Sequence, residues 1–409
     1  MSTTSGPTST HTPAPASTAS RSVPVLWLAL LATPVAAASN AAVLILGDMS
    51  RSLGITKATA SWLVTAFALA LAVATPLIAA LLRRRGTRTA LWAGAAFVAV
   101  GTAVVAISPW LPLTLLGRAA QAAGGAGMMA IAINLAGTAR RMGVISAGSG
   151  ILGAVGPLLG ERLTSAVSWR AALSILIVTL LAVPAVSRYT TNAPSAAAEG
   201  RFDTRGAVLL ALLSSGLVLL PSNPLPALAV AAATAGLLAA HIRRRPDGYV
   251  PQAALRSRLF RNSVLTALAL SVLYFTLLFG IPQLITDRAG WSTGSVAVGQ
   301  MIAMIAGSVL TLAFAAASAR LGQIKVRALL LTVGALAAAA AVFAHDAVVL
   351  FVAIGLAVFS ATSANATQSI AAASAVPAPQ RPTGIGLFQL AYLMGGALGP
   401  ALATILVLR

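Results

Sequence analysis

The strongest constraint on this chain is a succession of long apolar runs, parted by short segments that carry nearly all of its charge. A helix needs about 20 mainly apolar residues to cross the hydrocarbon core of a bilayer. Thirteen windows approach or meet that length: residues 25–47, 61–82, 89–107, 110–136, 143–166, 169–187, 206–220, 225–242, 262–285, 293–317, 326–343, 347–370 and 383–408. The windows at 206–220 and 225–242 are short. Hydrophobic residues make up 58% of the 409 and charged ones 8%, where a soluble domain has about a quarter charged. The expectation is an all-α membrane protein with about thirteen transmembrane helices.

A net charge of +20 raises the prospect of nucleic-acid binding, but its distribution points to topology instead. With the N-terminus placed in the cytoplasm, twenty Lys and Arg fall on the inner side, among them Arg83, Arg84, Arg85, Arg88, Arg140, Arg141, Arg243, Arg244 and Arg245. Six fall outside, and Arg118 stands inside a helix. This asymmetry orients a multi-pass protein of the cell inner (plasma) membrane with its N-terminus cytoplasmic. No nucleic-acid partner is expected.

Residues 1–24 are mostly Ser, Thr, Pro and Ala, too polar to order themselves, and read as a disordered cytoplasmic tail. The chain has no cysteine, which excludes disulfides and thiol catalysis. Its three histidines, His11, His241 and His345, lie in the tail and at helix ends, and there is no Gly-x-x-x-x-Gly-Lys loop. No enzyme, cofactor or metal site is expected, and energy for any transport would come from an ion gradient.

The chain repeats itself. LLRRRGTRTAL around Gly86 has an echo in SARLGQIKVRAL around Gly322, 236 residues on, and GAVGPLLG around Gly156 has one in GGALGPALA around Gly399, 243 residues on. One offset serves both pairs, as in a duplicated bundle with something inserted between its halves. The division expected is a six-helix half at 25–187, a cytoplasmic linker at 188–205, two inserted helices at 206–242, a basic cytoplasmic loop at 243–261 and a second half of five helices at 262–409.

The motifs, in this order, resemble those of the major facilitator superfamily, and within it the drug:proton antiporter branch with fourteen helices, which includes tetracycline and multidrug exporters. GRAAQAAGGAG is similar to that family's Arg-x-x-Gln-Gly motif through Arg118 and Gln121, with Ala122 in place of the glycine. Gly153, Gly156, Pro157 and Gly160 resemble the antiporter Gly-Pro motif, and SWRAAL follows as the family's Trp-Arg segment does. Arg84, Gly86 and Arg88 resemble the loop motif that follows the second helix, with Arg83 where the family has an aspartate. The first helix carries Asn40 where many relatives carry an acid, and the chain stops one helix short of the family pattern. The resemblance implies two pseudo-symmetric halves and secondary active transport of a small molecule.

Ionisable groups are costly in lipid and mark functional sites. Arg118 and Glu161 are the two here, at depths that differ by only a few ångströms at about 1.5 Å of rise per residue, so they could face each other. Glu161 is then a proton acceptor in competition with substrate, one member of a fixed ion pair, or a carboxylate wetted at the outer surface. Gly153, Gly156 and Gly160 offer a bare helix face and Pro157 a bend, together a pivot and seal for alternating access. Asn40, Gln121, Asn134, Tyr274, Phe275, Gln300, Asn365 and Gln389 are candidate cavity residues. Their weak charge suits a lipophilic or amphipathic substrate. The leading expectation is proton-coupled export by a monomer embedded in the lipid bilayer; an uptake permease of the same fold and a non-transporting membrane protein are the rivals.

Overall fold

The computed structural model describes residues 23–407, apart from 137–138, 191–202, 221–222, 247, 319 and 378–380. The expected tail, up to residue 22, and most of the expected linker at 188–205 lie outside the described residues. Among those described, every regular element is helical. The first part holds α1 (Val25–Asn40), α2 (Leu46–Leu53), α3 (Lys57–Ala60), α4 (Trp62–Arg85), α5 (Thr87–Ile107), α6 (Leu111–Ala136), α7 (Ala139–Ala166) and α8 (Trp169–Leu173). A 3-10 helix (Ile175–Ala182) leads into α9 (Val183–Ser187). Then come α10 (Thr204–Leu219), α11 (Pro224–Arg244) and α12 (Gln252–Arg256). The last part holds α13 (Arg258–Ala289), α14 (Thr293–Ser318), α15 (Gln323–Phe343), α16 (Ala347–Ser374) and α17 (Arg381–Leu406).

Nine helices among the described residues are long and apolar enough to cross a membrane, and α1, the segment from Ile175 to Ser187 and α10 are shorter apolar ones. Two windows differ from expectation. The first is not one helix: α1 stops at Asn40 and the chain resumes as α2, with Gly54 in the left-handed region (φ 64°) closing it. The sixth is α8, a 3-10 stretch and α9.

Helices alternate in direction, so one face of the bundle gathers the arginine-rich ends and the other the arginine-poor ends. On the arginine-rich face α4 passes to α5 through Gly86 alone, with φ 81° and ψ 167°, a conformation open essentially to glycine. Gly322, its counterpart before α15, has an ordinary φ of −67°.

The repeat is visible in the packing. α7 lies on α1: a Cβ on Gly156 would meet the Ala37 carbonyl at 2.9 Å and one on Gly160 would strike the Ala41 carbonyl. α17 lies on α13 in the same way, with Gly395 against Ser271 and Gly399 against Phe275 and Thr276. The inserted pair α10 and α11 pack on each other, and α10 touches both α4 and α17. Val218 of α10 is buried with Ala68 of α4 and Met394 and Ala397 of α17.

The halves meet unequally at the two faces. One apolar core joins the second half to residues from the arginine-poor end of the first, such as Val43, Ile45, Met49, Leu63, Val64 and Leu173. The arginine-rich end of the first half packs on itself, through Leu28, Leu31, Leu82, Leu91, Ile131 and Val186.

Candidate transport site

Arg118, two turns into α6, is fully buried. Its Nη1 donates to Gln121 Oε1 at 2.9 Å and to the Leu173 carbonyl at 3.4 Å. Nη2 reaches the Ala38 carbonyl at 3.3 Å and Nε the Leu63 carbonyl at 3.4 Å. Gln121 spans on to Thr102 Oγ1 at 3.0 Å and to the Leu173 carbonyl at 3.1 Å. The Phe67 ring closes the pocket, 4.1 Å from the guanidinium carbon. Ala38 and Leu173 end α1 and α8, where the last carbonyls have no helical donor and carry the negative end of the helix dipole. The counter-charge to Arg118 is therefore a set of helix ends and an aromatic face, not an acid. Gly101 and Gly117 let α5 and α6 close around this network: a Cβ on Gly101 would sit 2.6 Å from the Gly117 carbonyl.

Pro157 of α7 has no N–H and frees the carbonyl four residues earlier, on Gly153. Asn40 Nδ2 donates to that carbonyl at 2.9 Å. In the second half Pro282 of α13 frees the Leu278 carbonyl, and Gln300 Nε2 of α14 donates to it at 3.0 Å. Neighbouring polar side chains thus repair both breaks, the condition under which proline survives in a membrane helix. Asn40 also lies beside Tyr274 of the second half.

Glu161 is not brought to Arg118. It lines a cavity of about 500 Å³ on the arginine-poor face, between the halves, with Asp48, Arg51, Lys57, Thr164, Gln283 and Asp287. Depth along a helix does not set its direction: Gly160 faces α1, and the next residue is turned about 100° away. Across this cavity Lys57 Nζ donates to Gln283 Oε1 at 3.2 Å, and Gln283 Nε2 to Asp287 Oδ1 at 2.6 Å. Outside this cavity, Thr404 Oγ1 of α17 bonds Ser61 Oγ at 2.9 Å. These links tie the halves on one face. Lys57, Thr164 and the Ser61–Thr404 pair escaped the sequence reading, since each is an ordinary polar residue near a helix end.

The remaining candidates are scattered. Tyr274 is buried and Phe275 partly so, their rings 4.5 Å apart. Gln389 Nε2 bonds Asn365 Oδ1 at 3.1 Å within the second half. Asn134 is exposed and bonds back to the Ala130 carbonyl at 3.3 Å. The glycine face of α7, expected as a pivot, rests on α1 of its own half. Of the loop motif, Gly86 makes the corner, Arg88 is exposed, and the Arg84 side chain lies outside the described residues. In the Trp-Arg segment Arg170 stacks on Trp169 at 4.3 Å and donates to the Ser108 carbonyl at 2.9 Å.

A duplicated helical bundle with paired glycine contacts has relatives in sequence and in structure. The family model of the Major Facilitator Superfamily matches residues 26–400. The chain belongs to that superfamily. It is 25% identical over 270 residues to the uncharacterized MFS-type transporter YvkA of Bacillus subtilis (strain 168), covering 61% of this chain and 59% of the relative. It is 29% identical over 178 residues to the uncharacterized MFS-type transporter YfiU of the same organism, covering 41% of this chain and 34% of the relative. Each match thus spans less than two thirds of the relative. Among solved structures, the peptide transporter POT in complex with sulfate aligns with a TM-score of 0.67 at 14% identity, over 94% of this chain and 88% of that one. A POT family transporter in complex with a thioalcohol-conjugated peptide aligns with a TM-score of 0.61 at 13% identity, over 93% and 89%. At such identity the likeness is one of fold, the membrane bundle of this superfamily.

Proposed function

We propose that this superfamily member is a secondary active transporter of the drug:proton antiporter branch, exporting a small lipophilic or amphipathic compound across the plasma membrane. The arginine-rich face is the cytoplasmic one. The observation that carries the reading is the unequal meeting of the halves: one shared core and two polar links at the arginine-poor end, and a separate core for the first half at the other. Two bodies joined at one end are suited to rocking about a buried centre. Arg118 holds four elements of the first half together as one body, and Glu161, in the wall of the cavity near the joined end, is the group through which protons act.

Because the chain lacks cysteine, the joint can be locked by design. Ser61→Cys with Thr404→Cys, whose parent oxygens are 2.9 Å apart, should form a disulfide across the halves and stop transport until it is reduced. Vesicles loaded with a fluorescent amphiphile and given a pH gradient of either sign should move it only against proton entry. Movement with the protons makes the chain an uptake permease. No movement in any gradient, with no ligand bound, makes it a non-transporting protein and ends the proposal.

A further inference from the structure

The cavity on the arginine-poor face contains five charged side chains, and four of them are already committed. Arg51 Nη2 pairs with Asp48 Oδ1 at 2.6 Å. Lys57, Gln283 and Asp287 form the chain of bonds across the halves. The fifth is Glu161. Its nearest cation is Arg162 Nε at 3.4 Å, on a side chain 68% exposed to solvent, while its own side chain is 18% exposed. Such an exposed pair contributes little. Glu161 Oε2 is shielded from solvent and has no hydrogen-bond donor. Three residues further along α7, on the same cavity wall, Thr164 Oγ1 is also shielded and unpartnered. Two oxygens one helical turn apart, one met only by the ion pair to Arg162 and the other by nothing among the described residues, leave room for further donors, and buried polar groups without hydrogen bonds are costly.

The wall carries apolar side chains as well, alongside the polar Ser165, Thr286 and Thr293. Val43, Leu44, Phe279 and Val296 line the cavity beside Glu161. A matching ligand therefore carries one positive charge, more than one N–H, and a hydrocarbon body. We propose that this cavity is a binding site for a protonated amine with an apolar body, its ammonium held by Glu161 and Thr164. A quaternary ammonium has the charge without the donors and leaves Thr164 unmet; an alcohol has a donor without the charge. The inference gives the exported compound a chemical class and rests on the export reading for its physiological meaning.

Binding can be measured with no gradient and no transport, which keeps the two readings separable. Full-length protein in lipid nanodiscs is titrated calorimetrically with 2-phenylethylamine, 2-phenylethanol and the trimethylammonium analogue of the amine. The amine should bind saturably. The alcohol and the quaternary analogue should each bind about tenfold more weakly, as expected for the loss of a charge-assisted hydrogen bond. Glu161→Gln should weaken the amine by about tenfold and Thr164→Val by about threefold, and Asp346→Asn, at a carboxylate outside the cavity that caps α16 by accepting from Val348 N at 2.8 Å, should leave it unchanged. Equal binding of amine and alcohol, or undiminished amine binding by Glu161→Gln, overturns the proposal. Should Glu161→Gln lower the unfolding temperature, the ranking of the three ligands on wild type and the Thr164→Val result decide it alone. Amine binding without any transport retires the export reading and keeps this site; transport of an amphiphile that no amine displaces does the reverse.

Discussion

In the first half α7 rests on α1 through Gly156 and Gly160, and in the second α17 rests on α13 through Gly395 and Gly399. The middles of the two halves then diverge. α6 of the first half carries Arg118 and Gln121 in a saturated polar network. Its counterpart α16 buries Ala353, Ile354, Ala357, Val358 and Ala361 over the matching stretch, with Ser360 and Ser363 as uncharged polar members. The scaffold contacts are repeated and the charge is not. Small residues that let helices approach serve either half equally, whereas a buried guanidinium needs helix ends aimed at it, and only the first half has broken α1 and α8 to provide them.

The largest effect should come from that charge. Arg118→Ala removes the donor to three carbonyls and to Gln121; Leu173 keeps its bond from Gln121, and each buried acceptor left unmet costs about 1–3 kcal/mol. The purified variant should unfold well below wild type and move no substrate. Arg118→Lys, with a point charge instead of a fork, should fold and transport poorly. Ile354→Val, a trimming in the apolar middle of the second half, should cost about 1 kcal/mol and leave transport intact. If the two halves respond alike, the contrast drawn between them is wrong.

Glycines give the next test, because here one pair of repeats should agree and another should not. Gly156→Ala and Gly399→Ala each drive a methyl group into backbone of a neighbouring helix and should cost about 1–3 kcal/mol, measured by thermal unfolding in lipid. At the arginine-rich corners the repeats should part. Gly86→Ala meets a backbone that only glycine adopts readily and should lose about 1–3 kcal/mol. Gly322→Ala, with ordinary dihedrals and no atom within 4 Å of the added carbon, should be silent.

A smaller effect separates the two repaired prolines. Asn40→Ala and Gln300→Ala should each cost about 1 kcal/mol, the scale of interhelical hydrogen bonds in membranes. The sharper reading is the double variant. Once Pro157→Ala restores the N–H that serves the Gly153 carbonyl, Asn40→Ala should lose most of that effect, and Pro282→Ala should do the same for Gln300→Ala. Full additivity would mean that these side chains do something other than cap a freed carbonyl.

What the sequence conveyed about this molecule follows from which forces act locally. Apolar length alone marked the helices, and the spacing of Gly86 to Gly322 and of Gly156 to Gly399 marked the duplication. Arg118 was conspicuous as a charge in lipid, but its partners were not, because carbonyls at helix ends have no residue-type signature. The breaks after Asn40 and after Leu173 escaped for the same reason: the Ala38 and Leu173 carbonyls beside them are taken by Arg118 and Gln121. Depth alone allowed Glu161 to face Arg118, and it does not, since azimuth about α7 is set by how Gly156 and Gly160 dock on α1. Asn40 and Gln300 read as cavity residues because an amide in an apolar run is ambiguous until the proline it serves is seen across the interface.

The smallest expected effect asks to which half the inserted pair belongs. Asp203 caps α10 by accepting from Gly206 N at 3.0 Å, takes Tyr249 N at 3.0 Å, and bonds His241 Nε2 of α11 at 2.8 Å. Gly206 and Gly248 stay bare beside it, since a Cβ on either would strike the carboxylate. One side chain thus fastens both inserted helices to the loop that leads into α12 and α13, and so to the second half. Burial pushes the Asp203 carboxyl up, but the Tyr249 and Gly206 N–H groups and His241 outweigh it and hold it below the ordinary carboxylate value. A depressed carboxyl contributes stability that is complete above its unfolded value of about 4 and is lost as pH falls through the folded value. Hydrogen exchange at the Tyr249 and Gly206 amides should therefore stay slow from neutral pH down to about 4 and quicken, relative to other helix-end amides, only below it. Asp203→Asn should quicken exchange at neutral pH and flatten that acid limb. If the amides of α10 and the 245–251 loop respond independently, the inserted pair is not fastened to the second half and moves as a third body.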